Sequence, residues 1–324
     1  MRRPRSIRAL VTYALAAPTA QVGGQAVIEG VMMRGVAHWS VAVRKPADEG
    51  QELGGIAQVD EEIRPWASRR RWLRLPLIRG VIALGESLVI GMKALAISAQ
   101  QAAGEDEEGE EAFGKAAIGL TLAFSLVLAV GLFFVLPVFL TSLLDLDSGF
   151  SFWAVEGVIR VAILVGYLWL ISLMPDLKRV FQYHAAEHMA IHAHEAGEPV
   201  EAESASRFSQ LHVRCGTAFL LIVAVIAVFV FAVVGTPALH WLILSRIVGV
   251  PVVAGISYEI IRWAGRHKDE GYVQVVMRPG LWLQHLTTRK PDLTQLEVAC
   301  HALKRVLVLE ERPPEWADKV EVMA

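Results

Sequence analysis

Between Phe181 and Glu195 the chain gathers side chains that hold metals and carry protons: four His and two Glu fall within twelve residues, His184 to Glu195. Pro175 stands before this run and Gly197 and Pro199 stand after it, so one helix is predicted over 176–196. On that helix His184, His188 and His192 rise four residues apart on one face, with Glu187 on the next row. Imidazoles at i and i+4 can both turn a ring nitrogen onto one tetrahedral ion. Leu177, Val180, Phe181 and Ile191 share the face of His184 and His188, which turns it inward, and a buried neutral imidazole needs a partner. The plainer alternative is ordinary hydrogen-bonded or solvated histidine. Six such groups at this spacing favour a ligand set.

The order His184-x-x-Glu187-His188 is the H-x-x-E-H pattern of the inverzincins, in which two His hold zinc and the Glu takes a proton from the attacking water. Glu187 is therefore the candidate general base, and His192 is a further candidate ligand. Two other groups can complete the set. His212-Val213-Arg214-Cys215 is an H-x-x-C pair placed just before an apolar stretch. Glu259 lies near the end of another such stretch, where its alternative role is a salt bridge to Arg262 or Arg246. The choices imply different chemistry: His184, His188, Glu259 and a water form an open, catalytic site, whereas His184, His188, His212 and Cys215 form a closed, structural one. Gly23 to Gly30 is glycine-rich but lacks the lysine context of a phosphate loop, so a tight turn is expected, with Glu29, Arg34 and Arg246 as candidate site-lining residues. The chain carries no Ser/His/Asp arrangement, dinucleotide fingerprint or RNA-binding motif.

These residues need a scaffold, and composition says of what kind. Of 324 residues 54% are hydrophobic and 20% charged, with mean hydropathy +0.44, an apolar excess that fits a bilayer partner. The formal net charge of -2 offers nothing to nucleic acid. Cys215 and Cys300 are too few and too far apart for a disulfide framework. Ala116 to Leu144 carries no charge and exceeds the roughly 20 residues that cross a bilayer. Trp153 to Met174 is a second span, its Glu156 and Arg160 paired at i, i+4. Thr217 to Ser245 is broken at Gly235-Thr236-Pro237, which makes a third span and a fourth, Ala238 to Trp263. Leu75 to Ala99 is less apolar and holds Arg79, Glu86 and Lys93, so an interfacial or re-entrant helix is expected there.

The expected architecture is an α-helical membrane protein. Residues 1–104 give a β element (Val27, Val31, Val41, Val43, then a turn at Pro46 to Gly50) and the interfacial helix. Residues 105–115 are an acidic linker. Residues 116–263 give four spans with the His-rich helix between the second and third, and residues 264–324 a helical tail with Asp292 capping a helix that faces inward through Leu296, Ala299, Leu303, Val306 and Leu307. Basic residues flank the second-to-third connection and the tail, while the other connections have none; this places both termini in the cytoplasm. The basic N-terminus precedes a stretch too short for a secretory signal peptide.

Five blocks, Gly23 to Gly35, Phe181 to His188, Arg214-Cys215-Gly216-Thr217, Gly255-Ile256-Ser257-Tyr258-Glu259 and Arg278 to Gln284, resemble the YqhQ-like proteins. The resemblance runs from about Gly23 to Leu303. It implies a bacterial inner-membrane protein and a suspected metal-dependent enzyme of unassigned reaction. Ala185 and Met189 depart from the family pattern, which has Gly and Lys there, so a basic contact from the second position is missing. The expected function is a zinc hydrolase acting on a peptide or lipid-derived substrate. The rival is a scaffold or transporter with a structural metal or none, which intramembrane Arg246 and Glu259 keep open and the lack of inverted repeats weakens.

Overall fold

The computed structural model describes residues 22–48, 50–103, 115–144, 146, 150–234, 239–267 and 270–311. The basic N-terminus, the acidic linker and the Gly235-Thr236-Pro237 break fall outside them. An antiparallel meander, β1 (Gly23–Val27), β2 (Gly30–Arg34), β3 (His38–Arg44) and β4 (Ile56–Glu62), forms one sheet in sequential order. The expected tight turn is Ile28-Glu29, where Val27 pairs with Gly30 and Glu29 takes a φ of 52°. The alternation of strand side chains sends two sets of apolar residues to opposite faces. Val27, Trp39, Val41 and Val43 meet Ile90 and Ala94 of α1 (Ile78–Ala103). Val31, Met33 and Ala42 meet Tyr183, Ala186 and Met189 of α5 (Pro175–Glu195) and Leu296, Ala299 and Leu303 of α9 (Leu293–Glu310). β4 was not legible in the sequence: its residues are mostly polar and only partly buried.

Asp292 caps α9 as expected, its side chain accepting from the Gln295 N–H while the Gln295 side chain accepts from the Asp292 N–H, a reciprocal capping box. Besides short helical turns at Trp66–Ser68, Arg71–Arg74 and Ala202–Ala205, the remaining helices are α2 (Lys115–Val130), a π turn at Gly131–Val135, α3 (Leu136–Ser142), α4 (Phe150–Ser172), α6 (Gly216–Val234), α7 (Leu239–Arg266) and α8 (Gly271–Thr287). α6 packs against α4, α7 and α8, and α1 against α7. α8 packs in the helical bundle and α9 against the sheet.

Four helices among the described residues are long and apolar enough to cross a membrane: Ile78–Ala103, Ala123–Ser142, Phe150–Ser172 and Gly216–Val233. Three coincide with expected spans. The fourth is the helix expected at the interface; the stretch expected as the last span forms α7, a helix of 28 residues that carries Pro251 and part of whose side chains lie outside the described residues. The reason lies in α1's polar residues. Glu86 is buried against Arg34 and Arg79 is bound by Glu259, so tertiary partners absorb the charges that made α1 look interfacial.

The pairing of Glu156 with Arg160 on α4 holds, and both side chains are buried. The Arg160 Nε also donates to the Phe133 carbonyl at 3.2 Å, and its guanidinium lies 5.7 Å and 5.8 Å from the ring centroids of Phe134 and Phe231. Removing one partner strands the other charge in an apolar bundle. Glu156→Ala is expected to destabilise the protein by about 3–5 kcal/mol, and Glu156→Gln with Arg160→Met to cost much less. Denaturant unfolding in detergent checks this, and equal losses in the two variants would refute it.

Candidate functional site

α5 begins at Pro175, in the first helical turn with Asp176, where a missing N–H and a negative charge both suit a helix N-terminus. It ends before Gly197, whose φ of 74° is left-handed. One face, with Tyr183, Ala186, Met189 and Ala190, is fixed in the core. That fixing turns His184, Glu187 and His188 toward the segment Gln210 to Thr217, and between them opens a cleft of about 440 Å³ that β1 borders through Gly23 and Gly24.

Cys215 sits immediately before the first residue of α6 and is buried. Its Sγ is 3.2 Å from His184 Nε2 and 3.4 Å from the Thr217 N–H. His184, His188 and Cys215 each offer a ligand atom within 4.8 Å of the others. The outer sides of both imidazoles are fixed by main chain: His184 Nδ1 is 2.7 Å from the Thr287 carbonyl, and His188 Nδ1 is 2.6 Å from the Gln210 carbonyl. A carbonyl only accepts, so each Nδ1 carries a proton and Nε2 is left to face Cys215. Histidines that hold metals are oriented in this way.

The protonation of the group follows its packing. Burial disfavours charge on both His184 and Cys215, yet each stabilises the other: the His184 pKa rises to about 9 beside the Cys215 sulfur, and the thiol is held well below its usual value by the His184 imidazolium. The N-terminus of α6 adds to this, since its partial positive charge favours a thiolate. Both directions favour a thiolate beside an imidazolium, and a thiolate is the form that binds metal. Glu187 is almost wholly buried. Burial pushes its carboxyl up, against the pull of His188, His184 and the Gly24 N–H, which donates to it. A Cβ on Gly24 would come to 2.9 Å from Glu187 Cγ and 2.7 Å from the Met32 carbonyl, so only glycine lets strand and carboxylate approach this closely.

A second group, His192, Glu195 and His212, also brings three ligand atoms within 4.8 Å, but its bonds brace the loop. The Arg214 N–H donates to His212 Nδ1 at 3.3 Å, which leaves the proton on Nε2, 3.7 Å from Glu195. Burial lowers the His212 pKa to about 4, so that contact joins a neutral ring to a carboxylate. The Arg214 guanidinium pairs with Glu195, and His192 Nε2 donates to the Leu211 carbonyl at 2.9 Å. His192 and His212 therefore stand beside the cluster of His184, His188 and Cys215 instead of completing it. The four-ligand set with His212 is not assembled.

Glu259 is elsewhere. Its carboxylate accepts from Arg79 Nε at 2.7 Å and Nη2 at 2.5 Å, with Arg262 at 4.0 Å, and it does not line the cleft. Arg34 pairs with Glu86, and Glu29 is bound by Arg179, Nη2 at 2.5 Å. Neither borders the cleft, because each ties the sheet to a helix. The Arg246 side chain lies outside the described residues. Sequence reasoning gave no role to Gln284, whose buried amide clamps the backbone of His212: its Oε1 accepts from the His212 N–H at 2.9 Å and its Nε2 donates to the His212 carbonyl at 2.8 Å. Gly280 lets α8 come this close, since a Cβ there would meet Ala218 of α6 at 2.9 Å. A face of Val273, Met277, Gly280 and Leu283 that then carries Gln284 was the available signal.

Fold and site thus define a mostly helical protein with four candidate membrane helices, a small sheet, and a buried His/His/Cys cluster beside a carboxylate. The chain belongs to the family of proteins of unknown function DUF1385, whose model matches residues 75–309. It is 33% identical over 302 residues to the uncharacterized protein YqhQ of Bacillus subtilis (strain 168), covering 89% of this chain and 92% of that protein. No solved structure matches it.

Proposed function

We propose that this chain is a metal-dependent hydrolase at the cytoplasmic face of a bacterial inner membrane, with zinc held by His184, His188 and Cys215 and Glu187 as general base. The carrying observation is the pair of Nδ1–carbonyl bonds that leaves both Nε2 atoms facing one buried sulfur. Three protein ligands leave a fourth position toward the cleft, the arrangement of catalytic zinc rather than structural zinc. Zinc there would polarise the scissile carbonyl and make the attacking water more acidic. Glu187, buried at the same wall, takes the proton of that water and returns it to the leaving group. Gly24 and the walls of the cleft hold this carboxylate in place. Elemental analysis of the purified full-length protein should find close to one zinc per chain, and a stoichiometry near zero would overturn the reading.

The cytoplasmic placement rests on the basic residues between α4 and α6, Lys178, Arg179, Arg207 and Arg214, which remain inside during insertion. Single-cysteine variants test it in intact cells. A membrane-impermeant thiol reagent should label Leu146→Cys from outside and Ser206→Cys only after lysis; the reverse pattern would refute the orientation.

A further inference from the structure

The edge of the sheet that borders the cleft is β1. Gln25 and Val27 pair with Met32 and Gly30 across the two-residue turn, and the Arg44 N–H donates to the Glu29 carbonyl on the other side of β2. In an antiparallel ladder bonding alternates, so Gly23, Gln25 and Val27 bond to β2 while Gly24 and Ala26 turn their N–H and C=O groups to the free edge. The Gly24 N–H meets Glu187. Among the described residues no backbone or side-chain partner is recorded for the Gly24 carbonyl or for either outward group of Ala26. Gly23 and Gly24 present no side chain beyond hydrogen, and Gly24 and Gln25 are exposed, so another main chain can come into contact here.

We infer that the substrate of this site is an extended polypeptide segment, which adds to the edge of β1 left unpaired among the described residues and so crosses Glu187 and the His184, His188 and Cys215 group. The inference rests on the hydrolase reading above. A strand edge recognises backbone amides and carbonyls in alternation, and only a polypeptide supplies that pattern. A lipid ester has no groups to match it. The reaction is amide hydrolysis: water adds its oxygen to the carbonyl carbon and its proton passes to Glu187. The C–N bond then breaks with that proton delivered to nitrogen, giving a carboxylic acid and an amine. Water is the only co-reactant.

The experiment uses the zinc-loaded full-length protein in detergent, with β-casein as the extended polypeptide and phosphatidylglycerol micelles as the lipid probe. Casein should be cleaved and the lipid left intact. In the Glu187→Gln protein, saturating casein should slow hydrogen exchange at the Ala26 amide by roughly ten-fold or more, the effect of one added hydrogen bond. Ala26→Pro, which removes that N–H from an edge position, should raise KM for casein by a similar factor at unchanged zinc content. Gln58→Pro removes an outward N–H from the opposite edge, β4, and should leave KM unchanged, which shows that the sheet tolerates an edge proline. Unchanged exchange at Ala26 under saturating casein overturns strand addition, whether or not casein is cut. Lipid hydrolysis with casein untouched overturns it in favour of a lipid substrate. Protection at Ala26 without cleavage by the zinc-loaded wild type supports strand addition and removes the hydrolase reading instead.

Discussion

Cys215→Ser is expected to leave the purified protein with less than about a tenth of its zinc, and His184→Ala and His188→Ala to do the same. Loss of an outer-sphere partner alone typically weakens metal binding by about 10- to 100-fold, and loss of a ligand atom exceeds that. Serine keeps the volume and the neighbourhood of Thr217, whose N–H lies 3.4 Å from the sulfur, so the melting temperature in the metal-free state should change little. What disappears is the thiolate that His184 holds at 3.2 Å. His194→Ala is the control, because His194 is in neither three-ligand group and does not line the cleft. Elemental analysis beside thermal unfolding decides the matter. Wild-type zinc in both Cys215→Ser and His188→Ala would sink the proposed ligand set.

Glu187→Gln is expected to abolish function by about 10²- to 10⁴-fold while zinc content and stability stay at wild-type values. A general base supplies a factor of that size, and glutamine retains the shape and the accepting oxygen while losing basicity. The Gly24 N–H can still donate to the glutamine side chain, so the strand and helix keep their spacing. Complementation of a deletion strain at matched protein level serves as the readout before any substrate is known. The scaffold reading predicts the opposite, that Gln is tolerated or damages function only in step with lost metal or lost folding. Full complementation by Glu187→Gln would rule out the base and leave a structural site.

Short-range features were legible because the chain itself enforces them. The helix around His184 and His188, the pairing of Glu156 with Arg160, the Asp292 cap and the turn before Gly30 each depend on residues within a few positions of one another. Helical and strand periodicity act over that range. The apolar faces of α5 and α9 and three of the four long apolar helices were legible for the same reason. α1 was expected at the interface because of its charges, and by length and composition it is also apolar enough to cross a membrane.

By itself, then, the amino-acid sequence determined that two imidazoles and a carboxylate would share one helix, that a thiol would precede an apolar helix, and that much of the chain would be long apolar helices. Only the tertiary structure decided which groups meet. Cys215 lies 31 positions from His184 and reaches it, whereas Glu259 is taken by Arg79, 180 positions away in sequence. His212 faces the cluster from close by, yet the Arg214 N–H fixes its tautomer and turns it to Glu195. The physical reason is that a ligand set depends on long-range packing: α8 leans on α6 at Gly280, Gln284 grips the His212 backbone, and Cys215 is thereby placed against His184. No periodicity records that contact, because it is made by side chains whose partners are chosen in three dimensions.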